Sequence, residues 1–240
     1  MPGTLRAAVD AVADIGPFFA ATANPAEAVD DSWRPTAELY ADPEPLSARI
    51  EQVAWALGTD ERRVAASITY QGLAARLVSP LLAVASVTGL VPPWSPATLH
   101  WRRAVTGPWP LWESADDAVR PPAADLPAAV AEVLVEPHLV ALASAVRGLV
   151  GISARTLAGN AASSVVSAGR MVAQARPEAA GTASALVDAL LGSPALAGSG
   201  TWARPWSLRR ASCCLYYRVP GGGLCGDCVL IPRRAHRTIR

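Results

Sequence analysis

Apolar side chains recur at helical spacing through most of the chain. The clearest set follows the i, i+3, i+4, i+7 rule: Ile50, Val53, Ala54 and Leu57. Ser47 precedes this set as a predicted N-cap, and Gly58 follows it as a predicted stop. The pattern predicts a helix over residues 47–58.

The same spacing predicts further helices along the chain. They cover residues 5–15, 61–89, 127–136, 137–149, 157–172 and 182–192. Within the second of these, Pro80 is expected to start a new helix, because proline is tolerated in a first helical turn. The body of the protein is therefore predicted to be α-helical.

The helical period stops between residues 91 and 127. Residues 99–105 and 109–112 flank Thr106 and Gly107, which predicts a small β-hairpin. Nearer the C-terminus, β-type side chains and the three glycines at 221–223 predict a second, hairpin-like reversal. The predicted fold is mainly α, with a small central β-hairpin and a C-terminal cysteine-rich hairpin.

All four cysteines lie in that C-terminal segment, in the spacing C-C-x10-C-x2-C. Such crowding indicates metal ligation in a compartment that keeps thiols reduced, since structural disulfides are rare there. Cys225 and Cys228 form a CxxC knuckle that directs both sulfurs towards one centre. Cys213 and Cys214 are adjacent and would point to opposite faces of a strand, so the backbone must bend at this pair.

The spacing alone leaves three interpretations open. A single tetrahedral zinc ion more often uses two CxxC knuckles. A centre with two irons has ligand positions that lie further apart, which suits an adjacent pair of cysteines, and four thiolates are the ligand set of an iron-sulfur cluster. A redox-active dithiol is the third interpretation.

Two runs of sequence resemble a known family. Residues 209–228, RRASCCLYYRVPGGGLCGDC, resemble the C-terminal segment of the FhuF-type ferric-siderophore reductases. Residues 152–164, ISARTLAGNAASS, resemble a segment that this family shares with the C-terminal part of siderophore synthetases. The resemblance implies a 2Fe-2S cluster bound by the four cysteines: Cys213, Cys214, Cys225 and Cys228.

The reaction that the resemblance implies is a one-electron reduction. An electron passes from the cluster to the Fe(III) of a ferric siderophore, and the weaker Fe(II) complex dissociates. No nicotinamide or flavin fingerprint accompanies the cysteines, so we expect an external electron donor protein or reductant.

Four further residues are candidates for roles in this reaction. Arg155 and Asn160 lie in the run that belongs to the substrate-binding part of the synthetases, although an exposed arginine and a helix-capping asparagine are the alternative interpretation. Arg210 and Arg218 lie beside the cysteines and are candidates for tuning the reduction potential, or else solvated charges.

Charge is distributed unevenly along the chain. The net charge is +1, and all 21 basic residues are arginine. Residues 204–240 carry eight arginines against Asp227, a net +7, so the remainder carries −6. A four-thiolate 2Fe-2S centre is a dianion, and nearby arginines would stabilise its reduced form. Nucleic-acid binding is disfavoured, because this basic segment surrounds a thiol site and does not have the aromatic-interleaved pattern of RNA or single-strand binders.

The expected location is the cytoplasm. Asp10 and Asp14 interrupt the first apolar stretch, which disfavours a signal peptide. The longest uncharged run lies between Arg76 and Arg102, and its prolines and hydroxyl residues favour a buried core helix over a membrane span.

We expect a helical body at residues 1–206, a 2Fe-2S-binding segment at 207–232 and a basic tail at 233–240. The fold is then a helical body with a small central β-hairpin and a C-terminal cysteine-rich iron-sulfur hairpin. Two other functions remain open: a zinc-stabilised structural protein, and a siderophore-binding protein without redox activity.

Overall fold

A computed structural model describes residues 4–203 and 206–231. Helices make up most of it, which confirms the predicted mainly α fold. They are α1 (Leu5–Asp10), α2 (Thr36–Ala41), α3 (Pro43–Leu57), α4 (Arg62–Thr88), α5 (Leu126–Leu134), α6 (Ala141–Leu149), α7 (Ala154–Ala175) and α8 (Ala180–Gly192). The predicted basic tail at 233–240 lies outside the described residues.

The 27-residue helix α4 forms the centre of the core. It packs most extensively against α7, and also against α3, α8 and α5. Its residues Leu77, Leu81 and Leu82 are almost fully buried, and so are Leu157 and Val165 of α7. Burial of this apolar surface is the main source of stability for the helical body.

Three predicted helix starts are wrong. Pro80 lies inside the continuous helix α4, Pro137 lies in a π-helical turn, Val135–Val140, that joins α5 to α6, and Ser47 lies inside α3. The N-cap of α3 is Asp42, whose carboxylate accepts from the Glu44 N–H at 3.0 Å. A proline in a helix interior costs roughly 3 kcal/mol, but burial of α4 on several sides outweighs a loss of that size.

The predicted central hairpin is confirmed and gains a third strand. Strand β2 (Leu99–Trp101) pairs antiparallel with β3 (Leu111–Glu113), and β1 (Arg34–Pro35) pairs with the other edge of β2. β1 comes from the proline-rich connection after α1, where two residues are too short to produce a strand pattern. This small sheet attaches the first part of the chain to the helical body.

A second antiparallel pair leads into the cysteine segment. Strand β4 (Gly200–Ala203) pairs with β5 (Ser207–Arg210), and β5 packs against α7. The predicted boundary between residues 206 and 207 therefore falls between two paired strands. The division into three segments stays a prediction.

The π-helical turn surrounds a buried histidine. His138 has its Nδ1 2.6 Å from the Tyr40 hydroxyl and its Nε2 2.8 Å from the Trp94 carbonyl. Burial lowers the pKa of His138 to about 4, so the ring is neutral at physiological pH. It donates from Nε2 and accepts at Nδ1, and it thereby joins α2 and the Trp94 loop to this helix.

Two helical stretches are apolar and long enough to cross a membrane by length and composition. They are α4, whose most apolar window is 72% buried inside the protein, and Leu126–Leu149, where that share is 39%. A buried core helix meets the same criteria, so they are weak evidence of a span. The burial of α4 agrees with its predicted role as a core helix.

Two glycines in the helices differ in the space around them. A Cβ added at Gly169 of α7 would lie 2.6 Å from the Trp206 ring and 2.7 Å from Val187, whereas one at Gly72 of α4 would meet nothing within 4 Å. We therefore expect Gly169→Ala to lower the free energy of unfolding by about 1–3 kcal/mol. Gly72→Ala should raise it by about 0.5–1 kcal/mol through helix propensity.

Urea unfolding followed by circular dichroism measures both variants, and Gly72→Ala is the matched control for helix propensity. Equal stabilisation by the two substitutions would contradict the close packing of Trp206 on α7.

Candidate metal centre

Two backbone hydrogen bonds fix the start of the cysteine segment, one to the CxxC knuckle and one to the residue before β4. The Arg210 N–H donates to the Asp227 carbonyl at 3.0 Å, and the Ala211 N–H donates to the Ser199 carbonyl at 2.8 Å. The first bond joins the end of β5 to the CxxC knuckle. The segment therefore leaves the body at β5 and returns to the same place at Asp227.

The backbone bends directly after the Cys213–Cys214 pair, as the adjacent cysteines require. Leu215 has φ +70°, a left-handed conformation that is uncommon for a residue other than glycine. A short 3-10 turn, Tyr216–Arg218, follows it. This bend is what allows two neighbouring thiols to lie in one site.

The glycine triplet then reverses the chain without forming strands. Gly221 has φ +70°, and a Cβ at Gly222 would lie 2.5 Å from the Tyr216 carbonyl oxygen. The reversal brings the Cys225 sulfur to 3.7 Å from the Cys214 sulfur. The predicted reversal at residues 221–223 is present, and turns rather than a β-ladder produce it.

That separation suits two thiolates on one metal. Sulfurs bound tetrahedrally at about 2.3 Å from a metal ion lie roughly 3.7 Å apart. In the described part of the chain, no three His, Cys, Asp or Glu side chains surround a single point as they would one ion. A single tetrahedral zinc needs four such ligands around one ion, while a 2Fe-2S centre needs two at each iron. The Cys214–Cys225 separation fits a pair of thiolates on one metal, which both kinds of centre contain.

Backbone amides point at two of the sulfurs. The Leu215 N–H donates to the Cys213 Sγ at 3.3 Å, and the Leu230 N–H donates to the Cys228 Sγ at 3.4 Å. Hydrogen bonds of this kind stabilise a thiolate and raise the reduction potential of an iron-sulfur centre. The loop thus supplies donors to sulfurs at both ends of the motif.

The four thiols differ in their exposure. Cys214 and Cys228 are buried, whereas Cys213 and Cys225 are partly exposed. Burial raises the pKa of the Cys213 thiol, and it also raises that of Cys225, where the Asp227 carboxylate adds to the effect. Since metals bind thiolates, metal binding here must release protons.

Arg210, the last residue of β5, is a buried charged residue at the start of the cysteine segment. Its side chain is only 2% exposed. One Nη donates to the Asn160 amide oxygen and more weakly to the Thr156 carbonyl at 3.4 Å. The Nε and the other Nη have no hydrogen-bond partner among the described residues. A buried guanidinium with free donors is costly unless an anion compensates it.

Arg210 opposes the rise that burial causes in the pKa of Cys213, because its positive charge favours the thiolate. The tuning role of Arg210 stays a prediction.

Asn160, predicted to bind substrate, is fully buried. Its Nδ2 donates to the Ser67 carbonyl at 2.8 Å and lies 2.9 Å from the Ser67 hydroxyl. The Ser67 hydroxyl in turn donates to the Cys214 carbonyl at 2.7 Å. Asn160 is thus used in joining α7, α4 and the cysteine segment, and its side chain has no open surface for a substrate.

Arg155 and Arg218 are exposed, in contrast to Arg210. The Arg155 carbonyl accepts from the Ser212 hydroxyl at 2.7 Å, so this residue lies beside the cysteine segment through its backbone. The Arg218 Nε lies 2.8 Å from both carboxylate oxygens of Glu61. Glu61 compensates the charge of Arg218, and solvent screens it further.

The sequence did not indicate Ser67 or Glu61 as parts of this site. Ser67 lies in the apolar run of α4, where a hydroxyl among buried residues is a weak signal that a polar partner is present. Glu61 precedes the same helix and has no pattern of its own. The packing of α4 against the segment brings Ser67 to the Cys214 carbonyl and Glu61 to Arg218.

Four thiols in one turn-rich loop, with amide donors at their sulfurs and a buried arginine behind them, are typical of an iron-sulfur protein. Residues 210–230 match the family model described as the FhuF 2Fe-2S C-terminal domain. The match confirms the predicted resemblance for the cysteine segment, and the cofactor of the matched domain is a 2Fe-2S cluster. A comparison with curated proteins gives no match to the chain.

The family match begins at residue 210 and does not include the upstream run at 152–164. The resemblance of that run to siderophore synthetases stays a prediction. In the fold it forms the N-terminal half of α7, directly against β5 and the start of the cysteine segment.

The contrast between Arg210 and Arg218 has a measurable consequence. Arg210→Gln should lower the reduction potential, because the added electron loses a nearby buried charge. For a separation on the order of 8 Å and an effective dielectric of about 20, one charge is worth roughly 2 kcal/mol, or about 90 mV for one electron. Arg218→Gln should shift the potential several-fold less, since its charge is paired and exposed.

Protein-film voltammetry of both variants at low and high salt measures the difference, and Arg210→Lys is the charge-preserving control. Equal shifts for the two glutamine variants would show that burial does not distinguish these arginines.

Proposed function

We propose that the protein is a ferric-siderophore reductase that acts in the cytoplasm. The observation that carries the proposal is the match of residues 210–230 to the FhuF 2Fe-2S C-terminal domain, on a loop in which two of the four thiols are partly exposed. The family's name supports a role related to ferric siderophores.

In this proposal the cluster is held by Cys213, Cys214, Cys225 and Cys228. When bound, the cluster supplies the single electron that converts Fe(III) to Fe(II), and the weaker Fe(II) complex then dissociates. The protein's own residues hold the cluster, exclude water from two of the thiols and set the local charge. No nucleophile or general base is needed for a reaction of this kind.

The surface around the loop suits contact with a second molecule. Tyr217 is 44% exposed, Leu224 51% and Leu230 49%, and all three belong to the cysteine segment. Exposed apolar side chains grouped around a redox centre are typical of a docking surface. The ferric siderophore and the electron donor both have to approach the cluster across this part of the protein.

A small polar pocket lies beside the CxxC knuckle, and it also supports approach of the siderophore to this part of the protein. Its volume is about 260 Å³, and it lies between α7, β5 and the knuckle. Arg170, Ser163 and Ser167 provide donors on one side, and Asp227 lies on the other. Hydroxyl and guanidinium donors are suited to the oxygen ligands that surround Fe(III) in a siderophore.

The proposed 2Fe-2S cofactor can be tested on the purified protein. Anaerobically purified protein should be red-brown, with about two irons and two inorganic sulfides per chain. Replacing any one of the four cysteines by serine should remove most of the colour and lower the iron content. Ser212→Ala, a change within the same loop, should retain both. Colourless protein with one zinc ion per chain would support the zinc-stabilised structural protein instead.

The proposed source of electrons is an external donor. Chemically reduced protein should reduce a ferric siderophore in a single turnover, measured by capture of Fe(II) with a coloured chelator. NADPH alone should give no Fe(II), since no nicotinamide or flavin fingerprint is present in the sequence. A cysteine variant without the cluster is the control.

Two results would count against the reductase. Bleaching of the cluster by NADPH with no partner added would reveal a nucleotide site. Tight siderophore binding without Fe(II) release from the reduced protein would favour a siderophore-binding protein without redox activity.

A further inference from the structure

A second cavity lies on the side of α4 that faces away from the cysteine segment. Its volume is about 330 Å³, within the range of small-molecule sites. Thr69 and Arg76 of α4 line it, and they point about 180° away from Ser67, which contacts the cysteine segment. α3, Phe18 and the loop before β3 complete its walls.

The cavity contains a buried cation without a counterion. Arg76 is 3% exposed, and its guanidinium donates to the carbonyls of Trp109 at 2.7 Å, Phe18 at 2.9 Å and Ala20. Carbonyls satisfy its hydrogen bonds but leave its charge uncompensated. No ion pair of Arg76 is present within the described ranges 4–203 and 206–231.

A second arginine stands at the same cavity. Arg49 of α3 lies over the Trp109 ring, 5.5 Å from its centroid, and donates to the Gln52 amide oxygen and the Gly107 carbonyl. It too has no carboxylate partner in the described part of the chain. None of the residues that line the cavity is acidic. Two guanidinium groups thus face a space with no negative charge.

Two buried polar groups at the cavity lack partners. The Thr69 hydroxyl and the Trp109 indole N–H have no hydrogen-bond partner among the described residues, and Thr69 and Trp109 are 3% and 4% exposed. Buried polar groups are usually paired, but this hydroxyl and this indole N–H are closed to the cavity, so the two arginines are the groups that a ligand there can meet. The remaining walls, which include Val53, Ile68 and Leu73, are apolar.

We propose that this cavity binds a small carboxylic acid with an apolar or aromatic body. The carboxylate meets the two guanidinium groups, since arginine matches a planar carboxylate with parallel hydrogen bonds. The apolar body occupies the remaining volume beside α3 and α4. The site is independent of the iron-sulfur centre and of the proposed reductase activity.

Calorimetry on the cluster-loaded full-length protein tests this assignment with benzoate as the probe. Benzamide has the same shape without the charge, and inorganic phosphate has charge without the apolar body. We expect benzoate to bind at least tenfold more tightly than either one, since a hydrogen-bonded charge pair contributes about one order of magnitude or more in affinity. Equal binding of benzoate and benzamide, or preferential binding of phosphate, would overturn the proposal.

Two variants locate the site. Arg49→Gln should weaken benzoate binding at least tenfold, whereas Arg63→Gln, at an exposed position elsewhere on α4, should leave it unchanged. Thr69→Val should raise the midpoint of thermal unfolding without ligand, because it removes an unpaired buried hydroxyl, and should leave benzoate affinity unchanged, because that hydroxyl is closed to the cavity. Unchanged benzoate affinity in Arg49→Gln would overturn the assignment, and the spectrum of the cluster serves as the check on folding.

Discussion

The hydrogen bonds among Ser67, Asn160 and Arg210 are the interaction on which the site depends. They join α4, α7 and the end of β5 in the interior, and the Ser67 hydroxyl continues the chain to the Cys214 carbonyl. Polar groups in an apolar interior must be paired, so this network has few alternative arrangements. The cysteine loop is thereby attached at defined points to the helical core.

Two buried arginines show how the same side chain serves different purposes in one fold. Arg210 has two guanidinium nitrogens without hydrogen-bond partners among the described residues, so its charge is not compensated there. Arg76 uses three backbone carbonyls to hold the first connection and the loop before β3, and its charge faces a separate cavity. In both cases the surroundings, rather than the residue type, decide what the charge can do.

The thiol loop is built by backbone conformation more than by secondary structure. The left-handed Leu215, the 3-10 turn and the glycines at 221–222 reverse the chain within a few residues, and amides at Leu215 and Leu230 then point at sulfurs. A regular strand would place adjacent cysteines on opposite faces. The irregular path is therefore what makes the Cys213–Cys214 pair usable as ligands of one centre.

The sequence by itself determined the mainly α class, the central hairpin and the cysteine segment, because helical periodicity, turn residues and thiol spacing are local signals. Tertiary structure alone decided that α4 continues through Pro80, that Asn160 is internal and that Arg210 differs from Arg218. These outcomes depend on burial and on partners far apart in the chain, such as Ser67 with Cys214. Local patterns contain no information about which distant groups will compensate a charge or satisfy a buried amide.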